Sequence, residues 1–172
     1  MTEIQNQILH FASLKLGIVE KPNNTGWVNE PAYEAEMRVL GWYSGGSWCC
    51  FDAEWVWIKS YKNINPSVIP LLSKYFSGNA QETARNFHKS KEFTTSTTVP
   101  VLGAVAIWQH GSGTSGHAGI VVAIEKTGFW TTEGNTSAAG SREGTTKKKR
   151  FHKFNEPRAE KKLNLTRFIY PL

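Results

Sequence analysis

The chain is poor in cysteine: two in 172 residues, Cys49 and Cys50, side by side. A disulfide framework is therefore excluded. Neighbouring cysteines bridge only through a strained ring, because ordinary bridges want Cα atoms about 5.5 Å apart. The spacing also argues against zinc. A "CC" pair does not let two thiolates reach one metal, and no Cys or His pair supplies the remaining ligands. Neither metal nor cofactor is expected. Long hydrophobic runs are absent too. No stretch approaches the roughly 20 apolar residues of a membrane helix, so no membrane insertion is expected. The N-terminus, "MTEIQNQILHFASLKLG", has no basic start, and Asn6, Gln7 and His10 break any apolar centre, unlike a secretory signal. The expectation is synthesis in the cytosol with reduced thiols, and release by other means if the protein acts outside.

Acidic residues are the scarcer charge. There are 20 Lys and Arg against 14 Asp and Glu, a net charge of +6. Such a balance favours an anionic partner: nucleic acid, acidic lipid or an anionic cell wall. With 40% hydrophobic and 20% charged residues the composition is globular. Residues 1–172 suit one domain, with no Pro/Ser linker and no internal repeat.

What is present falls into two halves. Ile4, Ile8, Phe11 and Leu14 to Leu16 recur at helical spacing, which predicts a helix over 3–16 ended by Gly17. "PAYEAEMRVLG" reads as a second helix between Pro31 and Gly41. A third runs from Cys49 to about Tyr61, and "NAQETARNFHKSKEF" is a fourth with Asn79 as its cap. The period then changes. "AVAIWQ", "HAGIVVAIE", "GFWTTEG", "KKKRFHKF" and "LTRFIYPL" are short β-branched or aromatic runs split by turn residues. Helices first and an antiparallel sheet second is an α+β layout.

The cysteine pair sits at a predicted helix start, directly behind the turn "YSGGSW". A helix N-terminus favours a thiolate, so one cysteine can be reactive there; the alternative is two small core residues. A thiolate nucleophile needs a base, and the base an orienter. His117 opens an apolar strand after the glycine-rich "GSGTSG". Glu133 and Asn135, in "TTEGNTS", lie on one side of an extended chain, and either can accept from the histidine ring. Cysteine, histidine and a polar orienter form the constellation of a thiol hydrolase.

These stretches resemble the CHAP family of cysteine, histidine-dependent amidohydrolases and peptidases, within the NlpC/P60-like, papain-related group. "LGIVEKPNNTGW" is similar to the family's leading segment. "SWCCFDAEWVW" is similar to the nucleophile motif "WC-x-x-F-V-x-W", "GAVAIWQ" to "GDIVIW", "GHAGIVVAIE" to "GHVGIV", and "TTEGNTS" to "-EGN-". The resemblance covers roughly residues 4–137. It implies a papain-like fold with N-terminal helices packed on the sheet. It further implies that Cys49 is the nucleophile, with Cys50 in the place of a small neighbour. His117 becomes the general base, and Glu133 and Asn135 complete the site. The implied function is hydrolysis of an amide in bacterial peptidoglycan by a monomer of the phage endolysin type. Such a protein stays cytoplasmic until released and then acts on the cell wall. The pattern departs in three places. Phe51 stands one position early, Leu102-Gly103-Ala104 replaces "PGD", and Asp52 and Glu54 make the helix acidic. Either acid would oppose thiolate formation if it faced the site. Tyr43 and Ser47 are candidates for a side-chain oxyanion donor.

Rival readings are a type VI secreted amidase effector, a non-catalytic wall-binding module and a basic nucleic-acid-binding domain. The last would bind in a salt-sensitive way that survives loss of Cys49; no nucleic-acid partner is expected. "GSGTSG" matches a dinucleotide fingerprint but leads into a strand-like run, so it reads as a mobile rim around His117. "KKKR" at 147–150 reads as a solvated strand edge. Trp27, Trp42 and Trp130 sit beside turns and, with Tyr43, are the expected substrate-binding aromatics. Trp55 and Trp57 read as core, or one core and one rim. His10, His88, His110 and His152 read as structural or surface residues.

Overall fold

The computed structural model describes residues 1–136 and 146–172. Helix α1 (Glu3–Leu14) opens with a capping box. The Thr2 hydroxyl accepts from the Gln5 N–H, and the Gln5 side-chain oxygen accepts from the Thr2 N–H. Helix α2 (Pro31–Val39) begins on its proline. Helix α3 (Cys49–Ile64) starts at the cysteine pair and runs three residues past Tyr61. Helix α4 (Ile69–Tyr75) was not expected: it is seven residues long with Pro70 in its first turn, too short for a periodic signal. Helix α5 (Ala80–Lys89) is capped as expected, the Asn79 side chain accepting from the Gln81 and Glu82 N–H groups.

Six strands follow: β1 (Thr95–Ser96), β2 (Val105–His110), β3 (Gly116–Glu125), β4 (Gly128–Thr136), β5 (Thr146–Lys153) and β6 (Leu163–Ile169). They form one antiparallel sheet in the order β1-β6-β2-β3-β4-β5. The five apolar runs each become a strand; only the two-residue β1 carries no legible pattern. Val105, Ile107, Ala118 and Ile120 join the main core with the helices. Ala106, Trp108, Val121, Phe129 and Phe168 form a second cluster. Alternation along β2 and β3 puts these on the sheet's other face.

Helix α3 is the central element, packed on α1, β3 and β4. Every residue from Cys49 to Trp57 is buried, as expected for a helix surrounded on all sides. Trp55 and Trp57 are both core. Trp27 and Trp42 are core as well, which corrects their placement in a substrate groove. Trp27 packs 4.6 Å from Trp42 and 5.2 Å from Trp48 between ring centroids. The turn signals beside them mark chain reversals over a buried aromatic cluster, not an open surface. The reading of "KKKR" needs correction at its first residue. Lys147 has no exposed surface and donates to the Asp52 carboxylate at 2.9 Å, tying edge strand β5 to α3.

Candidate active site

The approach to Cys49 is built by a tight turn and a layer of aromatic rings. The Gly46 N–H bonds the Tyr43 carbonyl, and the Trp42 indole N–H bonds the Gly46 carbonyl at 2.8 Å. Gly45 adopts φ +90°, a conformation that favours glycine. Trp48, the N-cap of α3, is fully buried and supplies no side-chain cap to the first turn. Unpaired N–H groups and the helix dipole therefore act at Cys49.

Strand β4 crosses this first turn at close range. A Cβ on Gly134 would lie 2.4 Å from the Trp48 ring, so only glycine lets "EGN" reach the helix start. On the adjoining strand, a Cβ on Gly119 would lie 2.7 Å from the Glu133 Cγ. The Glu133 side chain occupies that space. Its Oε2 accepts from His117 Nε2 at 2.9 Å. Nδ1 is then the ring nitrogen left for Cys49, which lines the same cavity as His117 and is influenced by its charge. Either residue of "EGN" could have oriented the ring on sequence grounds; Glu133 is the one in contact. The period-two reading of Glu133 and Asn135 does not hold. The β4–β5 register shifts between Glu133 and Thr136, and Asn135 has φ +52°. This bulge turns Asn135 into the cavity beside Cys49, while Glu133 stays fully buried.

The electrostatics follow from these contacts. The neighbouring Cys50 thiol is the largest influence holding the Cys49 pKa well below its ordinary value. Burial opposes this, and the His117 ring and the Ala118 N–H reinforce it. Cys50 is pushed well up by its neighbour Cys49 and by burial. Burial disfavours a charged His117, but the Cys49 thiolate and the Glu133 carboxylate outweigh it and raise the ring. Burial likewise pushes Glu133 up, yet hydrogen bonds from His117 and His152 hold it well below the usual carboxylate range. These influences favour the ionised form of Cys49 and the charged form of His117, with the Glu133 carboxylate behind the ring.

Asp52 and Glu54 do not oppose it. Asp52 is matched by Lys147 and accepts from the Tyr33 hydroxyl at 2.7 Å. Burial pushes Glu54 up to about 8, so it is neutral at pH 7.

Cys49, His117 and Asn135 line a cavity of about 620 Å³. Tyr43, Gly46, Ser47 and Phe51 form one wall and Gly78, Asn79 and Ala80 another. His110, Ser115 and Gly116 close the third side, where the "GSGTSG" loop leads into β3 with no helix after it. Of the expected substrate-binding aromatics only Tyr43 reaches the cavity. Trp130 lies at the β3–β4 hairpin against Phe151 and donates to Glu125. Among the described residues no group of three metal-ligating side chains converges. His152 was missed as part of the site. Its Nε2 lies 2.6 Å from Glu133 Oε1. The signal was the alternation of β5, which puts Arg150 and His152 on the face of Thr131 and Glu133, but only once the β4–β5 register is known.

Comparison with known proteins bears on family and fold. No curated protein matches the sequence. Two solved structures align over nearly the whole chain. The crystal structure of Ly7917 has a TM-score of 0.54 at 13% identity, over 97% of this chain and 62% of its own. Ly7917 with the hydrolysing product of MDP gives 0.55 at 12%, over 99% and 63%. The chain thus spans less than two thirds of those proteins. The likeness is one of fold, and the helices and antiparallel sheet are those of a papain-like CHAP fold. A model of the CHAP domain matches residues 41–135, a segment that begins at the turn before Cys49 and ends at Asn135. More than half of the sequence lies within that match, and the chain belongs to the CHAP domain family.

Proposed function

We propose that the chain hydrolyses an amide bond of bacterial peptidoglycan by a thiol mechanism, as an amidase or endopeptidase. The observation that carries this reading is the contact chain Cys49–His117–Glu133 beside an open cavity. The Cys49 thiolate attacks the amide carbonyl carbon. The oxyanion that forms is met by the N–H of Cys49 and by a side-chain donor, for which Tyr43 and Ser47 line the cavity. The His117 imidazolium protonates the departing amine, leaving a thioester on Cys49. His117 then takes a proton from water, which attacks the thioester. The carboxylic acid leaves and the thiolate–imidazolium pair is restored. Glu133 stays ionised and fixes the ring's tautomer throughout.

Three observations support a wall substrate. Ly7917, of like fold, is described with the hydrolysing product of MDP. The family is one of amidohydrolases and peptidases. The net charge of +6 favours an anionic polymer. Action as a monomeric endolysin, held in the cytosol until lysis, fits the same features. Mass spectrometry of muropeptides after digestion tests the reading. The wild-type protein should produce fragments from amide cleavage, Cys49→Ala none, and Cys50→Ser, which keeps a hydroxyl donor beside Cys49, most of the wild-type yield. Intact muropeptides with the wild type, or equal yields from the two variants, would overturn it.

A further inference from the structure

We propose that His152 is a positioning residue of this site, holding one oxygen of Glu133 so that the other faces His117. The inference rests on the catalytic reading of Cys49 and His117 and extends it to the outermost strand of the sheet. Glu133 has no exposed surface, so protein groups alone must satisfy its carboxylate. Oε2 accepts from His117 at 2.9 Å. Oε1 accepts from the Thr131 hydroxyl at 2.5 Å and from His152 Nε2 at 2.6 Å. Arg150 stands farther off, with Nη1 3.6 Å from Oε2. A carboxylate group turns freely about its last torsion unless both oxygens are held. His117 cannot hold it alone, because His117 must itself be held.

His152 is suited to the task because its own ring is fixed. It packs 4.6 Å from Trp108 and 5.4 Å from Phe129 between ring centroids. Glu133 is ionised and can only accept, so Nε2 of His152 carries the proton. The charged and titratable groups facing Glu133 are His117 from β3, and Arg150 and His152 from β5. Cys49 of α3 acts through His117. Removing His152 leaves Oε1 with the hydroxyl alone, and the carboxylate is free to swing from His117 toward Arg150.

The test uses two variants and one measurement on the unaltered protein. His152→Phe keeps a ring between Trp108 and Phe129 but removes the donor; His152→Gln keeps a donor. His152→Phe should lower kcat and the rate of Cys49 alkylation at pH 7 about tenfold to a hundredfold, the scale of a displaced reacting group. KM should stay near wild type, and Tm should fall by only a few degrees, because the Thr131 hydroxyl still holds Oε1. His152→Gln should recover most of the rate. Wild-type rates for His152→Phe, or equal losses in both variants with a larger fall in Tm, would overturn the inference. In the wild-type protein, imidazole 15N spectra at pH 8 should show His152 protonated on Nε2; protonation on Nδ1 alone would overturn it even if both variants misfold. An active Cys49→Ala would instead defeat the catalytic reading, while a fast His152→Phe beside an inactive Cys49→Ala defeats this inference only.

Discussion

A thiolate enclosed by protein survives only where donors and positive charge reach it. The Cys50 thiol, the Ala118 N–H and the charge of His117 all favour the ionised form of Cys49. The second cysteine thus favours ionisation of the first. The acids flanking them are neutralised in different ways, Asp52 by Lys147 and Glu54 by protonation. Glu54 has a consequence for stability. Its carboxyl is raised from 4.5 to about 8 in the fold, so between those values the unfolded chain is ionised where the folded one is not. The native state binds the extra proton there. The contribution of Glu54 to stability should therefore fall as pH rises from about 4.5 to 8, with the loss complete above 8. Glu54→Gln should remove that part of the slope and stabilise the protein at pH 8 by on the order of a few kcal/mol. Thermal melts from pH 5 to 8.5 measure it, and parallel curves for variant and wild type would contradict it. Cys49, His117 and Glu133 were legible in the sequence because each carries its own local context: a tryptophan and turn, a glycine-led strand, and "EGN". His152 has none. It lies in a run of charges, and its role depends on strand register.

Among the elements, α3 and β5 illustrate the difference between a pattern and a placement. The aromatic run after Cys49 predicted a helix, and the helix is there. That it is buried on all sides follows from packing against α1, β3 and β4, which no local window contains. Strand β5 read as solvated because three lysines and an arginine stand together at 147–150. Packing splits them: Lys147 is buried against Asp52, while Lys148 and Lys149 are exposed. An edge strand pinned by a buried ion pair gives a sharp expectation. Lys147→Met leaves Asp52 without its cation and should cost about 3–5 kcal/mol, the usual penalty for breaking a buried pair. Adding Asp52→Asn should recover much of the loss, since no charge is then left buried. Urea unfolding of the single and double variants decides this; a single variant within 1 kcal/mol of wild type would mean that water reaches Asp52 (about the range of exposed pairs). Trp27 and Trp42 are the same lesson reversed. Turn residues flank them, yet Trp27 packs against Trp48 at the start of α3 and Trp42 packs behind Trp27.

At the scale of the molecule, the helices come first in the chain and the sheet second, and the site forms where the two meet. Helix α3 brings the thiol, β3 the imidazole and β4 the carboxylate, with β5 closing over the carboxylate from outside. The order of these parts could be read from the change in hydrophobic period. The bulge that separates Glu133 from Asn135 could not, because it lies where Gly134 passes close over Trp48, a contact between residues far apart in the chain. The central claim is that Cys49 and His117 form an ion pair at neutral pH. The pH profile of Cys49 alkylation by iodoacetamide tests it most directly, in a Cys50→Ser background that keeps a donor beside Cys49. With His117 present, alkylation should be on its plateau at pH 7 and fall only in acid. In His117→Ala the profile should shift upward, toward the ordinary thiol value of about 8.5. If the two profiles overlay, the pair does not exist, and the thiol mechanism loses its base.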